Sequence, residues 1–387
     1  MNINQTKLKK YFPMIRARNE VMEIIRDSPK LTDTFSKWKP EQQEQFLEIC
    51  TGNRGVKMLY DVFFKEILSP ESTPERLSDL LSCLLGRKVT VKSQLPNDST
   101  RISDEMSLVI TDIVVELEDG TIANVEVQKV GYLFLGERSS CYSADMLLRQ
   151  YKRVRSVKNE EFSYNDMKPV YTIVFMEKSP EIFHQFPTKY VHKFWNKSDT
   201  GLELKLLQNY VFIPIDIFVT RLHNKGIKNK LDAWLTFLGC DGVDDIVKLI
   251  AKYPEFRPMY EQLYDMCCNV EGVMQMFSKE LEIMDHNTVR LMIDEYQERL
   301  EKMRNNEDEM SIRLKHQAEL LEDQNAKIED QNAKIEDQNA KIEDQNATIE
   351  DQSATIEDQS ATIEVQNATI EEQKRRIAEL EAALAGK

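Results

Sequence analysis

Residues 107–130 of the sequence read SLVITDIVVELEDGTIANVEVQKV. The first part, residues 107–117, is rich in β-branched residues and mostly apolar, which is typical of a strand buried on both faces. The second part, residues 121–130, alternates strictly between apolar and polar side chains around Val125 and Val127. Because alternation has the two-residue period of a strand, the stretch predicts a β-hairpin.

The turn of this hairpin decides which side chains share a face of the sheet. A three-residue loop at 118–120, with Gly120 as the left-handed residue of a bulge, sets one register. In that register Asp112 lies directly across from Glu126, and Gln128 shares their face. A two-residue loop would instead put Asp112 and Glu126 on opposite faces. The predicted pairing therefore depends on the loop.

Asp112 and Glu126 are the candidate metal ligands. An ionised carboxylate inside an apolar strand such as 107–117 is unfavourable unless it is paired or bound to a metal. Cβ atoms of directly paired residues lie about 5 Å apart, so two carboxylates there repel unless a cation separates them. Oxygen ligands suit Mg²⁺ or Mn²⁺, which activate water for phosphodiester hydrolysis. The competing interpretation is an edge strand that is merely wetted on one face.

The rest of the first 300 residues alternates between helical and strand patterns, which predicts a mixed sheet flanked by helices, an α/β fold. The patterns before the hairpin predict helices at 14–26, 41–49, 55–68 and 75–85, the last closed by Gly86, and an extended segment at 89–91. Those after it predict a helix at 137–157, strands at 170–176 and 211–218, and helices over 231–296 with breaks at Gly239, Gly242 and Pro254.

The predicted helix 137–157 carries a basic stripe that suits phosphate groups. The stripe consists of Arg149, Lys152 and Arg153, with Arg138 nearby, opposite an apolar face of Leu147, Tyr151 and Val154. A solvated helix face is the alternative interpretation of the same pattern.

The last quarter of the chain repeats every seven residues, which predicts a left-handed coiled coil. Isoleucines recur at this interval from Ile328 to Ile377. With these isoleucines at position a, the register runs from Leu300 to Leu384 with one break at Glu307, whereas the register that puts them at position d fails near Leu384. Isoleucine at a favours a parallel homo-oligomer, but the polar d layer leaves dimer and trimer open.

Net charge and composition limit the kinds of partner that the protein can have. The net charge is −15, of which −11 belongs to residues 301–387 and −4 to the rest. The acidity of the tail therefore does not exclude DNA binding by the first 300 residues. No stretch reaches the roughly 18 apolar residues of a membrane span, so we expect no membrane partner. Six cysteines without CxxC spacing favour a reducing, cytoplasmic location.

Four stretches together resemble the recombination-promoting nuclease family, which is also described as PD-(D/E)XK nuclease family transposases. They are the hairpin of residues 107–130, KMLYDVFFKEIL at 57–68, ERSSCYSADMLLRQY at 137–151 and KPVYTIVF at 168–175. The resemblance covers residues 55–217, and the segment that follows, to about residue 296, together with the coil resembles longer bacterial members. It implies a restriction-endonuclease-like PD-(D/E)XK core and a Mg²⁺-dependent DNA endonuclease linked to DNA recombination.

The resemblance also implies roles for individual residues. The family's core aspartate falls on Asp112, its glutamate on Glu126, and the glutamine of its ExQ motif on Gln128. The acidic residue of the first helix falls on Asp61. The wider superfamily has a lysine where Gln128 stands, and Lys129 is expected to point to the other face of the strand. This departure bears on turnover, because glutamine cannot supply a positive charge to the transition state.

The expected organisation has four parts. These are an N-terminal helical segment at 1–54, a nuclease-like domain at 55–220, a helical segment at 221–299 and a heptad-repeat coiled coil at 300–387. The expected function is a metal-dependent DNA endonuclease assembled through the coil. The alternative is a catalytically weak or inactive protein that binds DNA or promotes assembly and retains the nuclease fold.

Overall fold

The computed structural model describes residues 7–95, 112–129 and 135–385. The chain divides into two compact units, residues 1–298 and residues 299–387. The first unit contains the sheet and the helices that pack on it. The second unit is helical throughout its described part.

The first unit is built on a mixed sheet, as predicted. Its strands are β1 (Val91–Gln94), β2 (Asp112–Leu117), β3 (Ile122–Gln128), β4 (Val170–Met176), β5 (His192–Phe194) and β6 (Gln208–Pro214). Within the described residues the order is β1-β2-β3-β4-β6-β5. The β3/β4 and β4/β6 pairs are parallel and the others antiparallel. The carboxyl ends of β3, β4 and β6 therefore meet at one edge.

The helices of the chain surround this sheet or form the tail. They are α1 (Arg18–Asp27), α2 (Pro29–Lys37), α3 (Pro40–Cys50), α4 (Asp61–Ile67), α5 (Pro74–Leu85), α6 (Leu135–Lys158), α7 (Glu181–His184), α8 (Ile215–Lys225), α9 (Lys230–Gly239), α10 (Val243–Lys252), α11 (Arg257–Cys267) and α12 (Val270–Ala385). None of the helices within 7–95, 112–129 and 135–385 has the length and apolar character that crossing a membrane requires.

The two faces of the sheet have different cores. One face, with Val125, Ile173 and Ile213, joins a large cluster that includes side chains of α1, α3, α5, α9 and α11. The other face is covered by α6, which contributes Leu135 and Met146 to two smaller clusters. Residues 7–54 and 230–281 therefore contribute to the same core as the sheet.

Several predicted elements are confirmed with small shifts in their ends. The helix predicted at 41–49 is α3, and the one at 75–85 is α5, which Gly86 closes with φ +73°. The strand predicted at 170–176 matches β4 at both ends. The strand predicted at 107–117 is described from Asp112 onward, so residues 107–111 lie outside the described chain.

Other predictions are wrong in extent. Only Asp61–Ile67 of the helix predicted at 55–68 is helical, because the backbone N–H of Gly55 donates to the carbonyl oxygen of Asp241 at 2.7 Å instead. The strand predicted at 211–218 ends at Pro214 and continues as α8. Asp216 favours this turn, since its carboxylate accepts the N–H of Ser179 at 2.9 Å. The short elements α2, α7 and β5 were not predicted.

Candidate active site

The hairpin of β2 and β3 has the predicted loop and register. Gly120 adopts φ +80°, and its N–H donates to the carbonyl oxygen of Leu117 at 2.8 Å. The N–H of Leu117 donates to the carbonyl oxygen of Thr121 at 2.8 Å, which closes a three-residue loop. The backbone of Asp112 consequently lies opposite that of Glu126. The side chain of Asp112 lies outside what the structure describes.

Three polar side chains of β3 lie buried beneath α6. Asn124, Glu126 and Gln128 are 2%, 3% and 5% exposed, so water does not satisfy their polar atoms. The amide of Asn124 donates to Glu126 Oε1 at 2.7 Å. Within the described residues, neither Asn124 Oδ1 nor Gln128 Oε1 has a hydrogen-bond partner. A buried acceptor without a donor is unfavourable, so these three side chains hold more oxygen acceptors than the described residues supply donors for.

Burial changes the acidity of Glu126. Desolvation raises the pKa of its carboxyl from the ordinary value of 4.5 to about 7, against the smaller opposing effects of the Asn124 hydrogen bond and the Arg138 charge. A carboxyl group with such a pKa carries a proton through much of the neutral range. Perturbed carboxyl groups of this kind concentrate at functional sites.

Arg138 is the cation that acts on Glu126, whereas the sequence pattern placed it only near the basic stripe. It lies in the first turn of α6, and its guanidinium stands 5.6 Å from the ring centre of Tyr142. Its position near β3 follows from the way α6 packs on the sheet, which sequence spacing does not reveal. Its positive charge lowers the pKa of Glu126 and so favours the ionised carboxylate.

The buried face of α6 is more polar than predicted. The predicted apolar face of Leu147, Tyr151 and Val154 is only half-buried, although Leu147 packs against the cluster of Ile122, Met146 and Val170. The fully buried positions are Leu135, Ser139, Ser143, Met146 and Gln150. Gln208 donates to Ser143 Oγ at 3.2 Å, and Gln150 Oε1 accepts the N–H of Lys168 at 2.8 Å. The helix therefore covers a polar strip of the sheet with polar side chains of its own.

Lys129 lies on the other side of β3, as its place in the alternation predicts. Its ammonium group donates to Glu280 Oε2 at 2.6 Å, and both side chains are 4% exposed. The same ammonium lies 4.1 Å from the ring centre of Tyr60. Lys129 is thus committed to an internal ion pair and does not replace the lysine of the wider superfamily.

Asp61 begins α4 and is joined to the same cluster through its backbone. Its N–H donates to Glu280 Oε1 at 2.9 Å, while its own carboxylate lies 2.8 Å from Lys65 Nζ. The structure therefore brings Asp61 to the carboxyl end of β3 on the side of Lys129. The described contacts of Asp61 do not include Glu126 or Gln128.

The basic stripe of α6 is partly neutralised. Arg149 pairs with Asp145 at 2.6 Å, and Arg153 pairs with Glu116 at 3.0 Å. Lys152 is exposed and, among the described residues, forms no ion pair. Two of the three predicted phosphate contacts must therefore exchange an acidic partner before they meet a phosphate.

The residues present fit a small divalent cation. Among the described side chains, no three His, Cys, Asp or Glu residues cluster in a way that could hold a metal ion, but the Asp112 side chain is not among them. Glu126 and Gln128 supply oxygen atoms, and Gln128 Oε1 has no donor within the described chain. Oxygen ligands of this kind suit Mg²⁺ or Mn²⁺ rather than softer metals.

Comparison with known proteins agrees with this geometry. A sequence model described as PD-(D/E)XK nuclease family transposase matches residues 58–292. The match includes every described strand of the sheet, helix α6 and Glu280. No curated protein matches the chain.

Proposed function

The chain belongs to the PD-(D/E)XK nuclease family transposases, and from this premise we propose that it is a metal-dependent DNA endonuclease. The observation that supports this proposal most strongly is the register that sets Asp112 opposite Glu126, next to Gln128 Oε1, which has no hydrogen-bond partner among the described residues. Asp112 and Glu126 would hold Mg²⁺ or Mn²⁺ between β2 and β3. When bound, such an ion polarises a phosphate oxygen and lowers the pKa of a water molecule.

The protein's own groups prepare the site for that ion. Below about pH 7, Glu126 carries a proton in the metal-free protein and must release it to act as a ligand, so cation binding strengthens as the pH rises through about 7. Gln128 Oε1 accepts a hydrogen bond from the attacking water and orients it. Helix α6 keeps bulk water away from both side chains, which strengthens the electrostatic interactions between them.

Arg138 supplies the positive charge that Gln128 lacks. Its charge already acts on Glu126, so it stands near the place where a scissile phosphate would bind. A fixed cation there stabilises the charge that develops on phosphate oxygens. Lys152 makes an outer phosphate contact on the same helix, and Arg149 and Arg153 join it when DNA competes with Asp145 and Glu116 for them. Asp61 acts indirectly, by fixing the start of α4.

One observation favours the alternative of a weak or inactive nuclease that binds DNA or promotes assembly. Lys129, the lysine nearest the superfamily position in sequence, is held in a buried pair with Glu280. Cleavage therefore depends on Arg138 and the bound cation for positive charge, because Lys129 does not take part. A wild-type protein that binds DNA but does not cleave it in the presence of Mg²⁺ would support this alternative.

We propose that the tail is a parallel coiled coil that makes the protein a homo-oligomer. The isoleucines from Ile328 to Ile377 are 46–61% exposed along the single helix, which leaves an unpartnered apolar stripe. A second copy of the same stripe buries these side chains. The four segments 1–54, 55–220, 221–299 and 300–387 remain our proposal for the organisation.

A plasmid-nicking assay with and without Mg²⁺ tests the nuclease proposal. Asp112→Asn and Glu126→Gln should each abolish Mg²⁺-dependent nicking, because a neutral amide is a poor ligand for a hard cation. DNA binding should remain close to wild type. The matched control is Glu118→Gln, the same chemical change at an exposed position of the same hairpin. Cleavage by the Asp112 and Glu126 variants at the wild-type rate would contradict the proposal.

A further inference from the structure

Exposed aromatic side chains gather around β5, at the edge of the sheet away from β1. Phe186, Phe194 and Trp195 are 52%, 53% and 57% exposed. His192 lies between the rings of Phe183 and Phe186, with ring centres 5.0 and 5.8 Å away. We call Phe186, His192, Phe194 and Trp195 the aromatic platform. Large rings left half in water along one edge of the sheet mark an interaction surface.

The platform is positioned by the sheet rather than by a loop alone. The ring of Phe194 meets that of Phe212 edge-on, with centres 5.4 Å apart, and the ring of Tyr210 stacks on Phe212 at 6.5 Å. The register aligns Glu126, Val174, Phe212 and His192 in one row across four strands. Three strand spacings separate the ends of this row, which places β5 about 14 Å from β3.

The charge around the platform is positive in an acidic protein. Residues 183–197 contain Lys189, Lys193 and Lys197 and no acidic residue, whereas the whole chain carries a net charge of −15. Within the described part of the chain these three lysines form no ion pair. Protein interfaces are depleted in lysine at their centres, so a protein partner fits this surface poorly. A backbone of phosphates fits it well.

We infer that the aromatic platform binds a single strand of nucleic acid, with unpaired bases stacked on Phe194 and Trp195 and the lysines against phosphates. A ring can stack only on a base whose face is open, which favours a single strand over a duplex. The inference deepens the proposed nuclease function and rests on it for the choice of DNA. A strand held on β5 would lie three strand spacings from Glu126 across the sheet.

Binding of a fluorescein-labelled oligothymidylate to the full chain, in EDTA so that nothing is cleaved, tests the inference. Phe194→Leu keeps an apolar side chain against Phe212 but removes the ring, and should weaken binding about tenfold. The control is Leu202→Ala with Leu204→Ala, which removes exposed apolar groups of the same region without removing a ring and should leave affinity unchanged. Equal loss in the control would overturn the inference, and so would unchanged affinity in Phe194→Leu.

Two further measurements identify the contacts. Trp195 is the exposed tryptophan, since Trp38 is half-buried and Trp234 is buried, so its fluorescence should fall when the strand binds. Trp195→Phe should abolish that change while keeping the affinity. Changing Lys189, Lys193 and Lys197 to Gln should reduce the dependence of log K on log salt by about 2. No fluorescence change and an unaltered salt dependence would contradict the proposed contacts.

Two comparisons distinguish this inference from the nuclease proposal. One is between different nucleic-acid probes, and the other is between the wild type and Glu126→Gln. A duplex of the same sequence should bind through Phe194 at least tenfold more weakly, and equal binding would overturn the preference for a single strand. Tighter binding of oligouridylate would overturn the choice of DNA. A change of oligomeric mass in Phe194→Leu would instead assign the platform to a second copy of the chain. Glu126→Gln should bind oligothymidylate as the wild type does, whether or not the protein cuts plasmid.

Discussion

Glu126 is a carboxylic acid enclosed by protein, and its environment suits a role that changes on cation binding. Its one described hydrogen bond comes from Asn124, and Arg138 is the nearby positive charge that lowers its pKa. These two effects do not offset the loss of water, so the group remains protonated up to about pH 7. The site is least stable when the Glu126 carboxyl is ionised and no cation is bound.

The strain at Glu126 has a predictable dependence on pH. Between pH 4.5 and about 7 the unfolded chain releases the proton while the folded protein retains it. The free energy of unfolding therefore falls as the pH rises through this window, by about 3 kcal/mol, and the full loss is present above it. Glu126→Gln keeps the acceptor for Asn124 and has no such titration.

We therefore expect metal-free Glu126→Gln to gain stability over the metal-free wild type as the pH rises from 5 to 8. Urea unfolding in EDTA at both pH values measures this difference. Glu118→Gln, at an exposed position, should show no such trend. Parallel pH profiles for wild type and Glu126→Gln would show that the Glu126 carboxyl titrates normally.

At the scale of elements, α12 is joined to the candidate site through Glu280. One carboxylate oxygen of Glu280 accepts from Lys129 at the end of β3, and the other accepts the N–H of Asp61 at the start of α4. A single side chain thus joins three elements beside Gln128. Charged groups this deeply buried are stabilising only while both partners are present.

Replacing one residue of the Lys129–Glu280 pair should lower the stability of the protein more than replacing both. We expect Lys129→Met and Glu280→Gln each to destabilise the protein by about 3–5 kcal/mol, because each leaves a buried charge unpaired. The double variant should be more stable than either single variant, since no charge remains. Thermal melts in a double-mutant cycle measure the coupling.

The pair of Lys158 and Asp166 is the matched control for this cycle. Its atoms are 2.6 Å apart, but the side chains are 46% and 22% exposed. Lys158→Met and Asp166→Asn should therefore cost much less than changes to the buried pair. Equal costs for the two pairs would mean that burial of Lys129 and Glu280 does not matter.

The hairpin shows what local sequence can predict. Alternation along β3 and the glycine at 120 are local features, so they specified the loop, the register and the pairing of Asp112 with Glu126. The core face of α6 depended on its neighbours. Because the sheet beneath it presents Asn124 and Gln128, the helix buries Ser139 and Ser143 more fully than Leu147.

Other features could not be predicted from local sequence for the same reason. The pair of Lys129 and Glu280 joins residues 151 positions apart, and no periodic pattern indicates such a contact. The early start of α8 depends on the bond between Asp216 and Ser179, which lies in the loop after β4. Long-range partners of single polar residues were thus the part of the site that could not be predicted.

At the scale of the whole molecule, the two units have separate sources of stability. The described hydrophobic clusters of the first unit take all their members from residues 8–281. The helix of the second unit carries its apolar residues in a stripe that its own chain leaves exposed. Folding of the first unit therefore does not require the tail, whereas burial of the stripe requires another helix.

Removal of the chain after Arg304 should leave a folded protein of lower oligomeric order. Light scattering measures the mass, and circular dichroism checks that the sheet remains. In the full chain, Ile335→Asp with Ile342→Asp should weaken assembly in the same way, because charges enter the apolar stripe. Lys334→Gln with Lys341→Gln is the control, since both lysines pair with aspartates of their own helix. An unchanged mass after truncation would assign assembly to residues 1–304.

The near-identical seven-residue repeats of the tail define a unit by which its length can change without disturbing the coil. DQNAKIE, DQNATIE and DQSATIE each fill one seven-residue period, so gain or loss of a whole block leaves the isoleucine stripe in phase. Each block lengthens or shortens the helix by about 10 Å. A block of another size shifts the phase of the stripe, so the coil must unwind or overwind locally to keep it facing its partner. Whole seven-residue blocks are therefore the changes in tail length that leave the supercoil undisturbed.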